Sequence, residues 1–227
     1  MVITDMYPKI ERDQVYKCLG YQPGTEPSSS TQAKIDKYLK RTTQIITPKV
    51  IYTGRSIKAV EGNRVHLDSH QPLLNSHKIS QTLKRSKKII FFITTLGKKI
   101  DNEIRKLMHQ GRMSDAYILD TVGSVAAEQL TKTFQEQFGK SMCPQGMRTT
   151  LRFSPGYCDW NIKEQEKIFS VLDSSSIEVH LTPKYMMVPR KSVSGIFGIE
   201  HGESASKKPF NPCDHCTMKH CSMRRES

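Results

Sequence analysis

The chain has 227 residues, 36% of them hydrophobic and 25% charged, and a formal net charge of +13. That length supports one well-buried core, or one domain with appendages. The longest apolar stretch, Ile89–Ile93, is too short to span a bilayer. Asp5, Lys9, Glu11 and Arg12 interrupt any leader-like run, so the expected address is the cytoplasm. The basic residues are scattered over 84–88, 98–99, 190–191, 207–208 and 224–225, and aromatic residues do not alternate with them. The charge therefore reads as a solvated surface or a face for an acidic protein partner, with nucleic acid last.

In chain order, Lys9–Leu19 has Val15, Cys18 and Leu19 at helical spacing and stops at Gly20. A polar loop over 23–30 follows, and Ser30 or Thr31 is placed to cap a helix running to about Gln44. Pro48 ends it. Val50–Tyr52 reads as a short strand, and a polar hairpin at Glu61–Asn63 leads to its partner, Arg64–Leu67. Ser80–Leu83 is expected in a short helix and Ile89–Thr95 in a central strand. Gly97 turns the chain into a helix over Lys98–His109, and a longer one spans about Ser114–Gln137, with Ile118, Leu119, Val122, Val125, Ala126, Leu130 and Phe134 on its apolar side. Strands are expected at Met147–Phe153, Ile177–Leu181 and Val193–Ile199, with a helix at Lys163–Leu172. This alternation predicts an α/β (α+β) fold: a twisted, mainly antiparallel sheet flanked by helices. It divides the chain into an N-terminal helical segment (1–47), a main domain (48–200) and a basic, Cys-rich tail (201–227).

Three groups of residues stand out chemically. Arg152-Phe153-Ser154-Pro155-Gly156-Tyr157 ends a predicted strand in an abrupt turn. Gly156 keeps no side chain between the backbone and a ligand, and Arg152 offers a planar fork suited to a carboxylate. Met186-Met187-Val188-Pro189-Arg190-Lys191-Ser192-Val193-Ser194-Gly195 connects two strands and has small residues where backbone must approach something closely. On the long helix, Asp120, Gly123 and Glu128 interrupt an apolar face. Gly123 costs roughly 1 kcal/mol relative to alanine, so packing or ligand access should offset it.

In their order and spacing, these pieces resemble the activation domain of cobalamin-dependent methionine synthase. That family carries an Arg-Pro-Ala-Pro-Gly-Tyr segment, then a Met-x-Pro-x-x-Ser-Val-Ser-Gly segment, preceded by a helix with a ligand-contacting glutamate. Arg152, Pro155, Gly156 and Tyr157 match the first motif, and Met187, Pro189, Ser192, Val193, Ser194 and Gly195 the second; Glu128 falls at the helical glutamate. The chain departs from the pattern at Phe153 and Ser154, at Arg190 and Lys191 where the family has small residues, and after Gly198, where a tyrosine pair is missing. The resemblance, over residues 112–200, implies S-adenosylmethionine as ligand. Arg152 would take its carboxylate, Glu128 its ammonium, and Ser154, Pro155, Gly156 and Tyr157 its nucleoside; Ser192 and Ser194 belong to the same site. It further implies a module serving the reductive remethylation of cobalamin. Because the chain lacks a cobalamin-binding signature, cobalamin would sit on a separate methionine synthase or corrinoid protein, with flavodoxin or another acidic donor supplying the electron. Catalysis would be by proximity, without a covalent catalyst in this chain.

The tail holds three of the six cysteines, Cys213, Cys216 and Cys221, with His215 and His220 among them. That cluster suits zinc or an iron–sulfur cluster better than disulfides in a reducing compartment. Two rival readings remain: a self-contained S-adenosylmethionine-dependent methyltransferase, which lacks the usual Gly-rich strand-to-helix loop, and a basic nucleic-acid-binding protein with a metal site.

Overall fold

The computed structural model describes residues 1–22, 24–68, 74–142, 146–201 and 210–215. In chain order the elements are β1 (Val2–Ile3), α1 (Arg12–Cys18), α2 (Ser29–Ile45), β2 (Lys49–Glu61), β3 (Arg64–Leu67), β4 (Leu74–Asn75), α3 (His77–Leu83), β5 (Ser86–Thr95), α4 (Lys98–His109), α5 (Met113–Met142), β6 (Met147–Thr149), α6 (Gln165–Val171), β7 (His180–Leu181), β8 (Met187–Val188) and β9 (Ser192–His201). A seven-stranded sheet runs β4-β3-β2-β5-β9-β6, with β1 also paired to β2, and every pairing in it is antiparallel. β7 and β8 form a separate hairpin. This is the mixed, mainly antiparallel architecture expected.

Strand β5 organises the sheet because its residues are apolar on both faces. Ile90 and Phe92 enter one core with Tyr38, Phe134, Phe138 and Phe197, and Ile89, Phe91 and Ile93 enter another with Phe153, Trp160, Ile168 and Ile196. The period-2 alternation of a strand allows this only if both faces are covered. Helices α1, α2, α4 and α5 cover the first face; α3, α6 and the loops around Trp160 cover the second. Tyr38 ties α2 to the start of α5 by donating to Asp115 Oδ1 at 2.6 Å, and burial, helped by this contact, pushes the phenol up to about 12.

Several elements differ from expectation, each for a local reason. The cap of α2 is Ser28, whose hydroxyl accepts from Thr31 N–H. β2 extends far beyond Val50–Tyr52, because its polar second half is carried by pairing with β3 rather than by burial. Residues Ser174–Ile177 form a 3-10 turn instead of opening a strand. There Ser175 and Ser176 donate to the side chain and carbonyl of Asp173, and local bonding of this kind competes with extended structure. The strand expected over Met147–Phe153 stops at Thr149, and a 3-10 turn at Ile162–Glu164 precedes the shorter α6.

Gly195 lies where β9 passes under the Phe153 backbone. A Cβ there would fall 2.5 Å from the Phe153 carbonyl oxygen and 2.7 Å from the Phe92 ring. Gly195→Ala should therefore lower stability by about 1–3 kcal/mol. Urea unfolding should show a reduced midpoint with an unchanged slope; an unaltered midpoint would mean that the strands separate at no cost.

Candidate functional site

The two sequence motifs meet at the outer edge of β9. Along its inner edge β9 pairs with β5, but β6 covers only Ile199–His201 on the other side. Next comes a single bridge, in which Phe153 and Ile196 exchange both backbone bonds at 2.8 Å. Two residues beyond Phe153 the chain reaches Pro155. Proline has no N–H to give, so the ladder stops there. The outer edge of Ser192–Ser194 is left facing a cleft of ≈ 370 Å³, a volume suited to a small molecule.

Three walls enclose this cleft. Helix α5 contributes Asp120, Ser124 and Glu128, whose four-residue spacing stacks them on one face. The turn after β6 contributes Ser154, Pro155 and Tyr157, backed by Ile162 and Gln165. Met186 and Met187 of the β7–β8 hairpin and residues 190–194 complete it. A depression of ≈ 470 Å³ on α4, lined by Asn102, Arg105, Lys106, His109 and Gln110, has only one stretch of chain as its wall and brings no facing groups together.

Of the residues singled out in the sequence, Glu128, Ser154, Pro155, Tyr157, Ser192 and Ser194 line the cleft. Arg152 stands behind Glu128, its guanidinium 2.8 Å from the carboxylate, and so joins the turn to α5. Gly156 adopts φ +92°, which only glycine takes without strain, and donates its N–H to Trp160 O at 2.8 Å. Tyr157 N–H turns back to Ser154 O. Within Ser154–Tyr157, Ser154 N–H is thus the backbone donor without a backbone partner among the described residues. The serine hydroxyls are engaged internally: Ser192 Oγ with Pro189 O and Thr95 Oγ1, and Ser194 Oγ with Gln165 Oε1.

Lys191 is the residue whose role the sequence hid. It is 5% exposed, and its Nζ lies 2.9 Å from Asp120 Oδ1 and donates to Ser124 Oγ at 2.9 Å. Burial pushes its pKa down, and Asp120 opposes that shift. Its stem fills the notch left by Gly123, where a Cβ would sit 3.2 Å from Lys191 Cε and 2.7 Å from Ile100 Cδ1. The helical glycine thus leaves space that the ends of these two side chains occupy. Gln165 and Ser124 were also missed, although polar residues every four positions on an apolar helix would have flagged Ser124.

The tail cluster was only partly reached. Cys213 sits in a 3-10 turn over Pro212–His215, whereas Cys216 and Cys221 lie outside the described residues. Among the described residues no group of three metal-ligating side chains occurs, and no helix is long and apolar enough to cross a membrane.

Asp120→Ala would leave the Lys191 ammonium buried without its carboxylate. It should lower the unfolding free energy by about 2 kcal/mol, less than for a fully enclosed pair because Asp120 is a third exposed. Lys191→Met keeps the stem and removes the charge, and should cost less than about 1 kcal/mol. Chemical denaturation of both variants checks this, and equal losses would deny the pair its role.

Residues 86–207 match the family described as vitamin B12 dependent methionine synthase, activation domain. No curated protein sequence matches the chain. Among solved structures, the MetH reactivation domain bound to AdoHcy superposes with a TM-score of 0.67 at 13% identity, over 92% of this chain and 80% of that one. At such identity the likeness is one of fold, and it is the fold described above. The family match covers more than half of the chain and contains the turn after β6, α6 and all of the β7–β9 wall of the cleft. The chain therefore belongs to the vitamin B12 dependent methionine synthase activation-domain family.

Proposed function

We propose that the cleft binds S-adenosylmethionine and that the protein presents it to cobalamin carried on a separate methionine synthase or corrinoid protein. The observation that carries this reading is the Arg152–Glu128 pair, 2.8 Å apart and joining two walls of the cleft. An arginine and a carboxylate held face to face complement the carboxylate and ammonium of an amino acid. On binding, each would exchange its partner for the ligand's group, so one ion pair gives way to two. Ser154 N–H and the outer edge of β9 offer hydrogen bonds to the nucleoside. Family membership and a related domain bound to AdoHcy support the same ligand class.

When bound, the ligand supplies a methyl group on a sulfonium centre. The chain's own contribution is to hold that group in place and exclude water around it; no side chain is needed as a nucleophile. A self-contained methyltransferase of the nucleotide-binding design would need a parallel sheet, and the strand pairs among the described residues are antiparallel. Acidic electron donors, flavodoxin among them, fit the basic surface as transient partners.

Calorimetric titration tests the reading directly. S-adenosylmethionine should bind saturably, and Arg152→Ala should weaken it by about 1.5–3 kcal/mol. Unaltered affinity in that variant would remove the carboxylate assignment. Glu128→Gln should weaken S-adenosylmethionine more than adenosine, which has no ammonium, while equal losses would assign Glu128 to folding.

The cysteine cluster belongs, on this reading, to a separate structural or electron-delivery element. Truncation after Pro209 should leave ligand affinity near that of the parent while removing any metal held by Cys213, Cys216 and Cys221. Elemental analysis of anaerobically purified protein distinguishes zinc from an iron–sulfur cluster, which absorbs in the visible. A metal-free parent would eliminate the metal site.

A further inference from the structure

Helix α5 sends two carboxylates into the cleft, and the reading above uses only Glu128. Asp120 lies eight residues earlier on the same face, about 12 Å away at the rise of an α-helix. Its surroundings differ in kind from those of Glu128. Lys191 Nζ and Arg190 Nη2 approach Asp120 Oδ1 as ion-pair partners at 2.9 and 3.5 Å, although that buried oxygen accepts no well-formed hydrogen bond, and no other side-chain partner of the carboxylate occurs among the described residues. Lys191 is itself locked, with Ser124 as its second acceptor and Gly123 making room for its stem. Asp120 is therefore a carboxylate in the cleft wall that faces two cations and keeps acceptor capacity to spare.

Helix geometry then limits what it can meet. A ligand with its amino-acid end at Arg152 and Glu128 that runs along α5 comes to Asp120. In an adenosyl amino acid, eight bonds separate the ammonium nitrogen from the ribose 3′ oxygen, on the order of 10 Å when extended. The arms of Glu128 and Asp120 take up the remainder. At that distance the ligand presents hydroxyl donors, and an ionised carboxylate can only accept.

We propose that Asp120 is the nucleoside-side anchor of the cleft, its carboxylate accepting hydrogen bonds from the ribose hydroxyls of a bound adenosyl compound. This rests on the methyl-donor reading and adds to it the direction in which the ligand lies: amino acid toward the C-terminal end of α5, ribose toward its N-terminal end. Lys191 and Arg190 act as positioning residues, holding the carboxylate in the cleft wall.

The test pairs variants with ligands that differ only in the ribose. The full chain, Asp120→Asn, and the double variant Asp120→Asn/Lys191→Met are titrated with S-adenosylhomocysteine and with its 2′,3′-dideoxy counterpart. The double variant leaves no unpaired buried cation, so it keeps the comparison meaningful if the single one unfolds. The parent should favour the ribose ligand by about tenfold or more, the range of a hydrogen bond to a charged acceptor. Both variants should lose most of that preference and bind the dideoxy ligand about as the parent does. A preference that survives in the variants, or a parent indifferent to the hydroxyls, overturns the anchor and leaves Asp120 as a brace for Lys191. A parent that binds neither ligand defeats the methyl-donor reading itself, and the anchor with it.

Discussion

The burial of β5 on both faces constrains everything else in the molecule. A strand that places Ile90 and Phe92 in one core and Ile89, Phe91 and Ile93 in another requires two coverings. Helix α5 belongs to one and the segment from Phe153 to α6 to the other. Those coverings come from opposite sides of the sheet, so they can meet only past an edge. β9 is the strand next to β5, and its outer ladder goes no further than the Phe153–Ile196 bridge, two residues before Pro155. A site therefore forms where the helix, the turn and the bare strand edge converge.

How much of this was legible in the sequence depended on whether the signal was local. The β5 run, α4 and β3 were readable because their apolar pattern or flanking turns sufficed, and α4 and β3 have the expected limits. The motif pair around Arg152 and Ser192 also pointed to the family, and with Glu128 six of the eight residues it assigned to a ligand line the cleft. The second half of β2 was not legible, because Gly54 to Glu61 is polar and draws its order from β3 and β5 across the sheet. Nor was the partnership of Arg152 with Glu128, which lies 24 residues away in sequence and depends on where the turn crosses α5.

Self-neutralisation explains how so basic a chain can keep carboxylates and cations together in one cleft. Each acid on the α5 face is met by a cation from a different loop: Glu128 by Arg152, and Asp120 by Lys191 and Arg190. The pairs differ in how firmly they are held. Arg152 and Glu128 are partly exposed at 17% and 34%, so exchanging them for a ligand's charges does not require exposing a buried ion. Lys191 is enclosed, and separating it from Asp120 would strand a charge at low dielectric. The more exposed pair can exchange partners at lower cost than the enclosed one.

The departure at Lys191 gains its meaning from residues far from it in sequence. A long cation where the resembled motif has a small residue would ordinarily collide with the helix crossing above it. Here Gly123 removes the Cβ that would meet its stem, Ser124 supplies a hydroxyl acceptor one residue later, and Asp120 supplies the counter-charge on the preceding turn. Any one of these without the others is unfavourable: the glycine weakens the helix, the lysine is a buried unpaired charge, and the aspartate loses the partner that orients it. Such mutual dependence makes 120–124 and 190–192 a single structural unit joining α5 to the start of β9. A change at one member should be judged with the others, because their contributions will not add.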